Sequence, residues 1–195
     1  VLRLDGTLKS KSRFTGNPVR DVVIDWAQRA YQAPGANDPI RIVVFGGSQG
    51  ARYFSDAMPA AFALVPSDLR ARLSIVQQCR DEDLARVEAA YAAHGIKARL
   101  APFFANLPEE MATSQLVIGR AGASTIAELT VLGRPSILVP LPHALDNDQL
   151  QNALNLAKAG GAWCHEQKSL TPERLAAEIT RLLTTPGTLS AAAAA

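Results

Sequence analysis

The 195-residue chain is 48% hydrophobic and carries a net charge of only +2, which fits one well-buried soluble domain and excludes a strongly basic nucleic-acid-binding chain. Its apolar runs are broken by Gly, Pro or charge within about ten residues, short of the roughly 20 a transmembrane helix needs, and no signal-peptide pattern opens it, so a cytoplasmic location is expected. Cys79 and Cys164 stand far apart with no CxxC pair and no clustered histidines, so neither a disulfide framework nor a zinc site is indicated and both are expected as reduced, buried thiols.

Residues 1–20 carry Arg3, Lys9, Lys11, Arg13 and Arg20 against Asp5 alone. They read as an interdomain linker or the edge of a missing N-terminal domain, with contact to anionic lipid as the alternative. A short helix is predicted over 21–33. From Ile40 the pattern alternates: strand 40–45, helix 51–64, strand 73–78, helix 81–94, strand 98–103, a helical turn over 107–113, strand 116–119, helix 125–132, strand 136–140, helix 148–159, strand 162–165 and helix 171–183. Such alternation predicts an α/β fold, a Rossmann-like parallel sheet with helices on both faces. Gly133 and Gly160 stand where left-handed caps end helices, and Thr171-Pro172 supplies an N-cap followed by proline at the first helical position. One folded domain is expected over 21–190, and 191–195 reads as a poly-Ala tail with no function assigned.

In an open parallel sheet, ligands sit beyond the carboxyl ends of the strands. The turn Gly46-Gly47-Ser48-Gln49-Gly50-Ala51-Arg52 follows the apolar run Ile40–Phe45, which is how a backbone comes close to a phosphate, although a tight turn without a ligand uses the same residues. It is not a dinucleotide fingerprint, because Ser48 stands where that needs Gly and strand 73–78 ends in Gln77-Gln78 rather than an acid. It is not a P-loop, because Ala51-Arg52 replaces the Lys and hydroxyl residue. A second turn, Arg120-Ala121-Gly122-Ala123-Ser124-Thr125, again brings small residues to a helix start, so that two helix ends can face one pyrophosphate. Glu128, three residues after Thr125, has capping-box spacing; the alternative is that it offers both carboxylate oxygens to a ribose.

Asp146 and Asp148 suit a helix N-terminus on dipole grounds, whereas Gln149 and Asn152 form a polar pair on one helix face, able to bond sugar hydroxyls. Glu128, Asp146 and Asp148 near one mouth admit a divalent metal, but there is no DxD triplet. His143 is either a general base or a hydrogen-bonding loop residue. Sparse aromatic residues, not interleaved with basic ones, argue against a base-stacking surface and hence against a nucleic-acid partner.

Taken together, Thr15-Gly16-Asn17-Pro18-Val19-Arg20, the Gly46 to Arg52 turn, Arg120 to Glu128, and Asp146 to Asn152 resemble the bacterial MurG glycosyltransferase family over about residues 13–185. The resemblance implies the C-terminal, donor-binding half of a GT-B glycosyltransferase that moves N-acetylglucosamine from UDP-N-acetylglucosamine to lipid I, forming lipid II for peptidoglycan. It implies inversion at the anomeric carbon, no metal or other cofactor, and work on the cytoplasmic face of the inner membrane. By the same resemblance, Ser48 with the Gly47, Gln49 and Gly50 backbone meets the pyrophosphate, and Ala123, Ser124 and Thr125 lie beside phosphates and sugar. Glu128 binds the ribose, Phe104's backbone meets the uracil with Phe103 closing that pocket, Arg20 reaches toward the base, and Gln149 reads the sugar hydroxyls. Asp148 stands where some members carry a second Gln. No catalytic base is assigned within this half, so the isolated chain is expected to bind UDP and transfer no sugar. The alternatives are another GT-B sugar-nucleotide enzyme, glycosyltransferase or epimerase, and a non-catalytic UDP-sugar binding module.

Overall fold

The computed structural model describes residues 16–142 and 147–195, with the backbone alone for 48–51. Six strands, β1 (Ile40–Phe45), β2 (Leu73–Gln78), β3 (Lys97–Ala101), β4 (Leu116–Gly119), β5 (Ser136–Leu138) and β6 (Ala162–Cys164), form one sheet in the order β3-β2-β1-β4-β5-β6. All five pairings are parallel. The order reverses between β1 and β4, so the crevice that ligands use in such sheets opens above those two strands.

Alternation along β1 explains the two layers. Ile40, Ile42 and Val44 join one core with Phe54, Met58 and Phe62 of α2 (Gly47–Ala63), Val87 and Tyr91 of α4 (Leu84–Ala92), and Leu175 and Ile179 of α8 (Pro172–Thr184). Val43 and Phe45 face the other way, toward Val23 of α1 (Asp21–Ala27), Met111 of α5 (Leu107–Ala112), Leu129 and Leu132 of α6 (Ala123–Leu132), and Ala153 of α7 (Asp148–Ala159). A strand apolar on both faces belongs in the middle of a helix-covered parallel sheet, which is why β1 is hydrophobic at every position except Arg41.

Several predicted boundaries move. The first helix stops at Ala27 rather than near 33, because the chain beyond it is drawn against the segments that enter β4 and β5: the Tyr31 hydroxyl donates to the Gln115 carbonyl at 2.9 Å, and Arg134 donates to the Arg29 carbonyl at 2.8 Å. Helix α2 begins at Gly47, so the glycine-rich segment is its first turn rather than a loop before it. Gly47 has φ +66°, a left-handed conformation in which a Cβ would be strained, and so it supplies the sharp exit from β1. Helix α6 likewise starts two residues early, at Ala123. Two short helices were not foreseen, α3 (Ser67–Arg70) and α9 (Thr188–Ala193); the second takes in part of the alanine-rich terminus and buries Leu189 and Ala192. Gly133 and Gly160 do end their helices in the left-handed region, and Thr171 accepts from the Arg174 N–H as an N-cap. Cys79 is buried, but Cys164 is only half-buried.

Candidate functional site

A cavity of about 790 Å³ lies over the topological switch. Its floor and walls come from the exits of β1, β2, β3 and β4: Gly46 and Gly47, Gln78, Pro102 to Phe104, and Arg120 to Thr125 in part, with Glu128, Gln149, Pro18 and Arg20 closing the sides. Of the expected donor-site residues with described side chains, Arg20, Phe103, Phe104, Ser124, Thr125, Glu128 and Gln149 meet here, as does Gly47. Ala123 lies exposed in the first turn of α6, outside this lining. Ser48, Gln49 and Gly50 fall in the first turn of α2, and nothing is described of their side chains. His143 and Asp146 lie outside the described residues.

Two helix N-termini reach the cavity. Neither Gly46 before α2 nor Gly122 before α6 caps its helix with a side chain, and the first four N–H groups of any helix have no partner within it. In α6 the first intrahelical bond to the cap carbonyl is made by Ile126 N–H. Both helix starts therefore present donors, and the partial positive charge of their dipoles, to the same space.

Glu128 does not form a capping box, because α6 begins at Ala123 and places Glu128 in the second turn. Its carboxylate is buried and holds Arg20 in a two-pronged ion pair, with Arg20 Nε donating to Oε1 at 2.9 Å and Arg20 Nη2 to Oε2 at 3.1 Å. The packing of α1 against α6 brings these residues together across 108 positions. Each carboxylate oxygen carries a second lone-pair site, so the pair leaves Glu128 able to accept one more donor per oxygen. Phe103 is 74% exposed at the rim, whereas Phe104 is buried beneath the Arg99 guanidinium, 5.0 Å from its ring centre.

Gln149 and Asn152 are committed to the backbone rather than left open as a polar pair. Gln149 Oε1 accepts from Ala121 N at 3.2 Å and Leu141 N at 3.0 Å, while Asn152 Nδ2 donates to the Ala121 carbonyl at 3.1 Å. Together they fasten α7 to the exits of β4 and β5. The amide nitrogen of Gln149 makes no hydrogen bond among the described residues, which leaves it as the end of that side chain available to a ligand. Asp148 accepts from the Gln149 N–H at 2.8 Å, as an acid at a helix start does.

Two contributors lie in segments that the sequence singles out without giving these residues a role. Gln78, at the end of β2, bonds both the β1–α2 turn and the β3 exit. Arg120 is buried at the cavity floor, donating to the Val139 and Pro140 carbonyls and to Gln167 Oε1, with its guanidinium 5.2 Å from each of the Tyr53 and Phe54 ring centres. Among the described residues no carboxylate pairs with it, and its Nε has no partner. Burial lowers its pKa, but a guanidinium stays charged near neutrality, so Arg120 adds a positive charge under the site. The signal in the sequence was a lone arginine between an apolar strand and a glycine turn. No group of three or more His, Cys, Asp or Glu side chains suited to a metal ion occurs among the described residues, and none of their helices is long and apolar enough to cross a membrane.

Known proteins similar to this chain are glycosyltransferases. The glycosyltransferase family 28 C-terminal domain matches residues 41–195. The chain is 53% identical over 195 residues, all of its own length and 52% of the relative's, to a UDP-N-acetylglucosamine–N-acetylmuramyl-(pentapeptide) pyrophosphoryl-undecaprenol N-acetylglucosamine transferase of Rhodospirillum centenum. It is 52% identical over 184 residues to the protein of the same name in Mesorhizobium japonicum, covering 94% of this chain and 49% of that one. The chain thus spans about half the length of the curated relatives it matches. Among solved structures it is similar to Acinetobacter baumannii MurG, with a TM-score of 0.74 and 30% identity over 84% of this chain and 48% of that one. It shares its fold with the glycosyltransferase VinC, solved in complex with dTDP, at a TM-score of 0.59 and 21% identity over 86% of this chain and 38% of that one.

Proposed function

Because the chain belongs to glycosyltransferase family 28, as its C-terminal domain, we propose that it binds UDP-N-acetylglucosamine as the donor half of an inverting GT-B enzyme that converts lipid I to lipid II in peptidoglycan synthesis. The observation that carries this reading is the convergence of two helix N-termini, a buried carboxylate and an aromatic rim in one cavity at the switch point. The names of the relatives, which specify N-acetylglucosamine transfer to a pyrophosphoryl-undecaprenol acceptor, supply the sugar and the lipid-linked substrate.

In this reading the α2 and α6 N-termini hold the diphosphate, Glu128 accepts from the ribose hydroxyls, the Phe103 and Phe104 loop receives the uracil, and the Gln149 amide nitrogen donates to a sugar hydroxyl. Arg20 keeps the Glu128 carboxylate oriented from the side. As the bond between the sugar C1 and the phosphate oxygen breaks, negative charge grows on the departing UDP. Fixed N–H donors and the buried Arg120 charge stabilise it with little reorganisation. The acceptor hydroxyl attacks from the opposite face, and the group that takes its proton is assigned to the other half of the enzyme. The whole protein works at the cytoplasmic face of the membrane as a peripheral enzyme, because its acceptor is lipid-linked.

Calorimetric titration of this chain with UDP-N-acetylglucosamine, UDP and ADP, without added metal and beside Glu128→Ala, tests the reading. The expected result is binding selective for UDP that falls about tenfold or more in the variant, the loss of hydrogen bonds to a charged group. Equal affinity for ADP, or a Glu128→Ala chain that binds UDP as well as the parent, would overturn it.

A further inference from the structure

Gln78 occupies a position where three loops of the cavity meet. Its Oε1 accepts from Gly46 N at 3.3 Å and from Gly47 N at 2.9 Å, and its Nε2 donates to the Pro102 carbonyl at 3.1 Å. These bonds fix the amide orientation, since a flipped amide would set its NH₂ against two N–H donors and its oxygen against a carbonyl. The side chain therefore caps α2 from a neighbouring strand, doing what Gly46 cannot. The same side chain anchors the segment that leads directly into Phe103 and Phe104.

The remaining polar group at the end of β2 is consumed elsewhere. Gln77 is buried, and its Oε1 accepts from the Tyr91 hydroxyl in the core. Dinucleotide-binding sheets of this topology place a ribose-reading acid at the end of the second strand. Here that position holds a neutral amide whose three bonds are all to backbone. It adds no negative charge beside the helix α2 N-terminus and takes up the Gly46 and Gly47 N–H groups at that helix start.

We propose that Gln78 is a positioning residue that couples the diphosphate end of the donor site, at Gly46 and Gly47, to its base end, at Phe103 and Phe104. The inference rests on the donor-site reading above. An anion drawn onto the α2 N-terminus shifts the Gly46–Gly47 peptide, Gln78 follows through its amide oxygen, and the Pro102 carbonyl follows through the amide nitrogen. A nucleotide carrying both a base and a diphosphate is thereby favoured over either part alone.

The test is a ¹⁵N-resolved amide spectrum of this chain titrated with inorganic pyrophosphate, in the parent, Gln78→Met and Gln78→Glu. Methionine keeps the volume and loses all three bonds. Glutamate keeps the two acceptor bonds to the turn but cannot donate to Pro102, and it adds a charge. In the parent, pyrophosphate is expected to shift the amides of both Gly47 and Phe104. In both variants the Phe104 shift is expected to vanish, while the Gly47 shift survives in Gln78→Met, and Gln78→Glu is expected to bind pyrophosphate about tenfold more weakly because of like charge. A Phe104 shift that persists in either folded variant, or is missing in a parent that binds UDP selectively, overturns the role of Gln78 alone. A parent in which Gly47 responds to neither pyrophosphate nor UDP overturns the donor-site reading together with this inference. Variants that do not fold at all also overturn it, because Gln78 would then be a purely structural cap.

Discussion

Replacing Gln149 with alanine separates the two roles that the structure gives this side chain. Its Oε1 accepts from two backbone N–H groups, Ala121 and Leu141, on the exits of different strands. Each such bond contributes a net 0.5–1.5 kcal/mol, so Gln149→Ala is expected to destabilise the fold by about 1–3 kcal/mol. For a chain of this size a loss of about 2 kcal/mol lowers Tm by roughly 4–8 °C. Gln149→Glu keeps an acceptor oxygen for both N–H groups and sits in the first turn of α7, where an acid is favourable. Its Tm is expected to stay within about 2 °C of the parent, well inside the loss that removal of two such bonds produces. The glutamate nonetheless replaces the amide nitrogen of this cavity-lining side chain with a charged oxygen, so UDP-N-acetylglucosamine affinity is expected to fall in both variants. Thermal unfolding followed by circular dichroism, with calorimetric titration of the same samples, reads both quantities. An alanine variant that melts with the parent, or a glutamate variant that melts with the alanine one, would refute the assignment of stability to the Oε1 bonds.

Further outcomes follow from the core and the titratable groups. Phe62, fully buried and 6.2 Å from the Tyr91 ring centre, is expected to cost about 3–5 kcal/mol on substitution by alanine, read by urea unfolding; a loss below about 1 kcal/mol would contradict its burial. Burial pushes the Cys79 thiol up, and Cys164 is raised for the same reason but is more exposed. Iodoacetamide should therefore modify Cys164 before Cys79 in the native chain, and equal rates would count against the buried placement. The Asp83 carboxyl is held below its usual 3.8 by hydrogen bonds from Arg86 and Arg80, and Glu178 below its usual 4.5 by the Arg181 guanidinium. The folded chain thus binds fewer protons than the unfolded one in this range. The resulting stability is fully present above the ordinary carboxylate values and is lost as pH falls through them toward the lowered ones. Acid unfolding is expected to become less steep in Asp83→Asn and Glu178→Gln, and an unchanged profile would show that these pairs do not contribute.

Much of the site could be read locally. The strands β1, β2 and β4 and the helix α7 keep their predicted bounds, because each is marked by its own apolar run or by adjacent Gly and Pro. The two glycine turns were legible as helix starts, and both start earlier than read, because glycine composition alone does not show how far helical backbone extends into a turn. Glu128 was legible as a candidate ligand but not as the partner of Arg20. Gln149 was legible as a polar candidate but not as a clasp on Ala121 and Leu141. In each case the partner lies on another element, and only the packing of α1 on α6 or of α7 on the strand exits brings it within hydrogen-bond distance.

What the sequence determined by itself was periodicity and punctuation: which segments are strands and which are helices, which glycines end helices, and the order of four motifs along the chain. These depend on neighbouring residues, whose spacing the covalent chain fixes. What only the tertiary structure decided was the strand order that sets β1 beside β4, the shared cavity of the α2 and α6 N-termini, the Arg20–Glu128 pair, and the burial of Arg120 at the cavity floor. Those depend on contacts between residues far apart in sequence, which exist only once parallel crossovers have placed the strand ends along one edge of the sheet.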